Sequence, residues 1–551
     1  MMSALVLSFA YYHQGWVHPQ TDYIGNPGDS EQMVWFLAWT SHALVHGHSP
    51  LVGDYVLFPQ GENLMWNTSI LLPGVLLAPV TLTIGPVVAY NLLITLAPIA
   101  TAGTTYLLFA RFVRRPFAVA VGSITFAFCP FILIHSTAHP QLSVATFVPL
   151  MALLVHEAVV EQRWRWGITG VALGVVVAAQ LLTGEELLEI AILAVVVMIL
   201  VLALSHPDLI VPKLRYAGKV GALAAAVFAV LVGYPLHVQY QGPLRPVGSI
   251  HDPATFVTDL GNFLQPVGQV INVGILHHVA FTGDPTEWTG YIGFPLLLVV
   301  LIVAFMAFRT REVVRVGVTI IVAFAIFALG PHLHLNGRSE FPLPWSLVDH
   351  LPTVDQILPG RLTVIVALAS TLLLAVFVEM VLDAPPVRLA LGAAVILGVV
   401  AFWVPDAVVV SASPVPTFFT TSEVNRLPAG SVALVAPYIN GDLTEYPLLW
   451  QAVAHLRFRM IDGQMIVPGD HFGPVTVLST TLTTLQTGTV PLTPSLRSTF
   501  TSLLGQDEVG EIVVGPGPGQ ARIRQFFQSL LGRPSDLRGG GVEVWLLQRG
   551  G

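Results

Sequence analysis

The residues of this 551-residue chain best suited to chemistry are polar groups at the edges of apolar runs. Asp29 and Glu31 stand in Pro27–Trp39, PGDSEQMVWFLAW, with Asp22 shortly before them. The other face of that stretch carries Met33, Val34, Phe36, Leu37 and Trp39, which makes 30–47 an amphipathic segment. A carboxylate within reach of a hydroxyl can take its proton as a general base. The order Gly28-Asp29-Ser30-Glu31 before an apolar run is also what helix capping favours, and a cap residue can still serve as a base.

Further polar groups recur at similar edges. Thr183-Gly184-Glu185-Glu186 lies between two apolar runs, where adjacent carboxylates carry a desolvation cost. It reads either as a binding element or as a short polar loop. His135 and His139 are four residues apart in HSTAHPQL, a spacing that could bind a metal on a helical face, but Pro140 argues against a regular helix through it. Phosphate contact or interfacial hydrogen bonding suits that pair better. His277-His278 and His332-Leu-His334 are weaker metal candidates. Arg361 follows Pro359-Gly360 at the start of an apolar run, where a guanidinium suits phosphate through forked hydrogen bonds or snorkels to headgroups. Glu287 precedes Trp288 and Tyr291, an interfacial pattern with an added acid. Asn63, Trp66 and Asn67 could meet sugar hydroxyls and a sugar face, or anchor a tight loop.

The elements that position these residues are set by composition. Apolar residues make up 54% of the chain, charged residues only 10%, and mean hydropathy is +0.73. A soluble chain carries about 25% charged residues, so runs of about 20 apolar residues read as membrane spans. The net charge of −8 gives no argument for nucleic acid. A lone cysteine, Cys129, rules out an intrachain disulfide. Residues 1–16 read as a short first helix without the marks of a cleaved signal peptide. Apolar runs then follow at 70–84, 86–110, 117–134, 142–159, 167–182, 187–204, 218–236, 291–308, 314–330, 361–382 and 387–405.

Basic loops at Arg111–Arg115, Arg163–Arg165, Lys213–Lys219, Arg309–Arg315 and Arg388 are each separated by two apolar runs, so all can face the cytoplasm. The intervening loops, with every candidate above, then face outward. One inconsistency stands between residues 68 and 111, where two runs occupy a stretch that needs an odd number of crossings. Either residues 70–84, with Pro and Gly around them, are a re-entrant or surface piece, or Arg111–Arg115 is an exception to the positive-inside rule. From 406 onward the apolar runs shorten to strand length: Val432–Ala436, Val475–Leu478, Glu511–Val514 and Val542–Leu547, with a helix at Gln520–Leu531. The expected architecture is an all-α polytopic membrane domain over 1–405, about 11–12 transmembrane helices with a first outer loop at 17–67. A small extracytoplasmic α/β domain over 406–551 follows it.

The acidic start of the first outer loop, the surface helix after it, the many further spans and the terminal domain together resemble the GT-C superfamily of membrane glycosyltransferases. GDSEQMVWFLAW, FPQGENLMWNTS, GPVVAYNLL, HSTAHPQL, TGEELLE and EWTGYIGFPLL look like a group of uncharacterised actinobacterial GT-C-like proteins. The resemblance implies a plasma-membrane enzyme that moves a sugar from a polyprenyl-phosphate donor to an outer glycan, lipid or protein acceptor, with inversion. It makes Asp29 the base, with Asp22 as runner-up. The expected substrate-binding set is Asp22, Glu31, Asn63, Asn67, His135, His139, Glu185, Glu186, Glu287 and Arg361. Metal-dependent members would add a divalent ion, but His135–Leu142 stands where their second Asp-x-Asp is expected. A flippase for lipid-linked glycans would carry charges near the bilayer centre, whereas these lie at the edges. A non-enzymatic envelope-assembly protein is the third reading.

Overall fold

The structure is a computed structural model. It describes all residues except 206–210, 247, 249, 251–253, 267–280, 352–353, 413–414, 440–444, 469–475 and 548–551. His277-His278 lies outside the described residues. The chain divides into two compact units. One comprises Met1–His13, Ile94–Gly233 and His251–Val408; the other comprises Gln14–Leu93, Tyr234–Ile250 and Val409–Gly551.

The first unit is helical. Apolar sequence on every face, not a single stripe, lets its helices pack on several neighbours at once. The Thr363–Leu382 helix is buried along nearly its whole length and packs against Pro116–Ala127, Gly293–Ala307 and Glu312–Ala328. Small residues permit the closest approaches: a Cβ at Gly122 would lie 2.7 Å from the Thr371 carbonyl oxygen. Across the described residues, six helical stretches are long and apolar enough to cross a membrane. These are Pro86–Phe109, Pro116–His135, Pro140–Glu161, Glu185–Ser205, Val211–Gln241 and Pro359–Leu382. Met2–Tyr11, Leu71–Thr83, Trp166–Leu181, Gly293–Ala307 and Pro386–Phe402 are shorter apolar helices.

Proline placement sets several helix starts. Pro86, Pro116, Pro130, Pro140 and Pro386 each stand at the beginning of a helix, where the missing N–H costs nothing. The expected run 117–134 is divided at Phe128–Cys129, because Pro130 starts a new helix there. His139 likewise sits in a turn between the Pro130–His135 and Pro140–Ser143 helices.

The second unit combines the first polar segment with a sheet domain. Its five-stranded sheet has the order Leu537–Gly539, Val542–Leu546, Glu511–Val514, Val432–Ala436, Arg459–Met460. The central Val432–Ala436 strand is parallel to both neighbours, Glu511–Val514 and Arg459–Met460, and the other pairings are antiparallel. Helices Val477–Thr487, Pro494–Gln506 and Gln520–Leu531 supply apolar cover through Leu482, Phe500, Ile523 and Phe527. The expected strand at Val475–Leu478 is a helix from Val477, capped by the Thr476 hydroxyl. An alternating run that short fits either state, and the cap decides it.

The Asp29–His46 helix and the Leu71–Thr83 helix pack together in this unit, with Gly74 against Thr40. At 13 residues, Leu71–Thr83 extends about 20 Å, well short of a bilayer core of about 30 Å. Its length agrees with a re-entrant or surface piece.

Candidate functional site

The candidate residues form two groups, one in each unit. In the sheet-containing unit, Gly28 starts the first group. Its φ of +101° lies where side chains are strained, so glycine is needed at the cap of the Asp29–His46 helix. Asp29 is therefore the first helical residue, not the cap, and is half-buried. Glu31 reaches back to accept from the Gly28 backbone N–H at 3.2 Å, half of a capping box. Its other oxygen accepts from the Tyr23 hydroxyl at 2.8 Å. The Glu445 backbone N–H also donates to Glu31, at 3.2 Å. Glu31 is thus buried and fully held, and burial pushes its carboxyl up to about 7.

Glu445 heads the Tyr446–Val453 helix and is itself buried, with both carboxylate oxygens lacking a hydrogen-bond partner among the described residues. Burial, Asp29 and Glu31 push it well above the usual carboxylate range. Sequence reasoning passed over Glu445 and Tyr23. The available signal for Glu445 was an acid heading a helix with Pro447 in its first turn, downstream of the central parallel strand. Asp22 and Tyr23 lie on the Asp22–Ile24 strand, which pairs with Val410–Ala412. Asn91 fixes that strand: its amide donates to the Asp22 carbonyl oxygen at 2.8 Å and accepts from Ile24 N–H at 2.9 Å.

The expectation for Asn63 and Asn67 is corrected. Both are buried, and their amides are engaged by backbone. Asn63 donates to the carbonyls of Val238 and Pro243 at 3.0 and 2.8 Å. Asn67 donates to those of Asn63 and Ile466 and accepts from Ile466 N–H at 2.7 Å. Trp66 donates to the Gln239 carbonyl at 2.8 Å. These groups clamp loops and are not presented to a sugar.

The second group lies in the helical unit. Arg361 occupies a short turn, Pro359–Leu362, that leads into the Thr363–Leu382 helix. Its guanidinium is buried and forked between two carboxylates. Nε and Nη2 donate to Glu287 Oε1 at 2.8 and 2.7 Å, and Nη1 donates to Glu186. Gly360 permits this approach: a Cβ there would stand 3.0 Å from Glu287 Cβ. Glu186 lies in the first turn of Glu185–Ser205 beside Glu185. His135, at the end of the Pro130–His135 helix, stacks edge-on against Phe131 and His139. Its Nε2 is 3.9 Å from Glu287 Oε2, and both side chains are wholly buried. The structure therefore gathers Glu186, Glu287, Arg361, His135 and His139, and separately sets Asp29 and Glu31 in one helix turn, with Asp22 linked to them only through its strand neighbour Tyr23. Among the described residues no three His, Cys, Asp or Glu are arranged to hold a metal ion.

The first group can offer a half-buried carboxylate next to buried acids, and the second an arginine able to meet an anion. Similarity to known proteins bears on what those groups serve. The mycobacterial arabinofuranosyltransferase AftD has a solved structure that matches with TM-score 0.56 and 15% identity, over 100% of this chain and 40% of AftD. A mutant AftD structure matches at 0.51, with 12% identity over 100% and 41%. ArnT from Cupriavidus metallidurans bound to undecaprenyl phosphate matches at 0.46, with 13% identity, over 98% and 97% of the two chains. This chain spans well under half of AftD's length, and what it shares with AftD is the fold. No curated protein matches in sequence. A family model described as a domain of unknown function, DUF6311, matches residues 1–403, and the chain belongs to that family.

Proposed function

We propose that the protein is an inverting membrane glycosyltransferase that takes a sugar from a polyprenyl-phosphate donor and passes it to an extracytoplasmic glycan, lipid or protein. Asp29 is the general base. The observation that carries this reading is the setting of Asp29. It is half-buried at the first turn of its helix, while Glu31, two residues on, is locked by Tyr23, Gly28 and Glu445. Both oxygens of buried Glu31 are taken up by those hydrogen bonds, so the more exposed Asp29 is the carboxylate that an acceptor hydroxyl reaches more easily. The fold shared with AftD supports the reaction class.

In this reading the base removes the acceptor hydroxyl proton as the oxygen attacks the anomeric carbon. The bond from that carbon to the donor phosphate breaks, and the lipid phosphate leaves with the electron pair. Within the helical unit, Arg361 is the cation that a lipid phosphate would meet. Residues 1–405 form the membrane domain and 406–551 the outer domain, with the basic loops on the cytoplasmic side. The test is transfer of labelled sugar from polyprenyl-phosphate donors to an envelope fraction, in membranes with and without the protein. Label that appears only with the protein is the expected result; equal label in both contradicts the reading.

A further inference from the structure

Arg361 is the cation of its group, yet two carboxylates already surround it. They are held differently. Glu287 is wholly buried and takes the Nε–Nη2 edge of the guanidinium. Glu186 has a quarter of its side chain exposed and touches Nη1 alone. The Nη1–Nη2 edge is the remaining one that can grip a phosphate with two parallel hydrogen bonds. Glu186 sits on it.

Charge gives the same asymmetry. A buried arginine needs one counter-charge, and Glu287 supplies it. The second carboxylate leaves the trio with a net charge of −1, and Glu185 stands next to Glu186 in the same helix turn. An arriving phosphate that left Glu186 in place would raise that charge further. One that replaced Glu186 would keep Arg361 doubly paired and release the carboxylate with the easier route to water.

We propose that Glu186 is a displaceable occupant of the phosphate position on Arg361, and that the phosphate of the incoming donor lipid takes its place while Glu287 stays. The inference rests on the reading of Arg361 as the donor-phosphate anchor. Glu186 then sets an affinity threshold that lowers the binding of every anion by the same factor. Selectivity for a lipid phosphate over a free one comes from the apolar chain, whose added binding lets the lipid clear the threshold. A protein whose binding-competent form is only partly populated shows an affinity reduced by that fraction.

The experiment measures binding of undecaprenyl phosphate, undecaprenol and inorganic phosphate to the full-length protein in nanodiscs, for the wild type, Glu186→Gln, Glu186→Ala and Arg361→Lys, each checked for an unchanged melting profile. Both Glu186 variants are expected to bind undecaprenyl phosphate roughly tenfold more tightly than the wild type, with undecaprenol unchanged. Inorganic phosphate, undetectable or weak on the wild type, is expected to gain by a similar factor. Undiminished undecaprenyl phosphate binding by Arg361→Lys would remove Arg361 as the anchor, and the displacement with it. Weakened binding in Arg361→Lys with no gain in either Glu186 variant would overturn the displacement alone and leave the anchor standing. Inorganic phosphate binding the wild type as tightly as the lipid would overturn the selectivity.

Discussion

Burial separates the carboxylates into those that hold charge partners and those that hold protons. Glu31 is pushed up to about 7 from an ordinary 4.5. Its folded form binds a proton more tightly than its unfolded form, so its contribution to stability is complete below about pH 4.5 and is lost as pH rises through about 7. Glu31→Gln should therefore flatten the pH dependence of the melting temperature between about pH 5 and about pH 8, and gain most over the wild type at the alkaline end. A variant equally destabilised at every pH would refute the shifted carboxyl. Glu287 is buried as the charge partner of Arg361. Glu287→Gln leaves that arginine short of a partner and should cost about 3–5 kcal/mol, read as a fall in melting temperature, while Glu186→Gln, at the exposed end, costs far less. The acids themselves were legible in the sequence as carboxylates at apolar edges. Their partnerships were not: Arg361 meets Glu287 and Glu186 across 74 and 175 positions, a pairing that only the packing of distant helices creates.

Helix starts do much of the positioning. Gly28 holds φ +101°, and nothing within 4 Å would obstruct a Cβ there. Gly28→Ala therefore tests backbone strain without a clash, and should cost about 1–3 kcal/mol and misdirect Asp29 at the first turn. Normal melting and normal transfer in that variant would show that the cap conformation is not required. Elements were legible where sequence carried punctuation. Val432–Ala436, Glu511–Val514 and Gln520–Leu531 stand as expected, flanked by turn residues. They were not legible where a short apolar run was ambiguous, as at Val477, where the Thr476 cap makes a helix. Asn63 and Asn67 misled for a related reason. An amide suits a sugar hydroxyl and a backbone carbonyl equally, and the loops they tie come from residues near 240 and 466.

At the scale of the whole chain, the membrane character follows from composition, and the fold is shared with AftD. Sidedness is a proposal drawn from the basic loops, and the single buried Cys129 makes it easy to measure. After Cys129→Ser, single cysteines at Gln525 and at Ser422 should react with an impermeant maleimide on intact cells, and one at Arg165 should react only after lysis. Labelling in the reverse order would invert the topology and place Asp29 with the cytoplasm. The chemistry itself turns on Asp29. Purified wild type and Asp29→Asn should be compared for transfer from a labelled polyprenyl-phosphate sugar and, in the same preparation, for binding of that donor. Loss of transfer by at least about a thousandfold, with donor binding within a few fold of the wild type, is the expected result for a general base. Transfer that persists near the wild-type rate in Asp29→Asn would contradict the account.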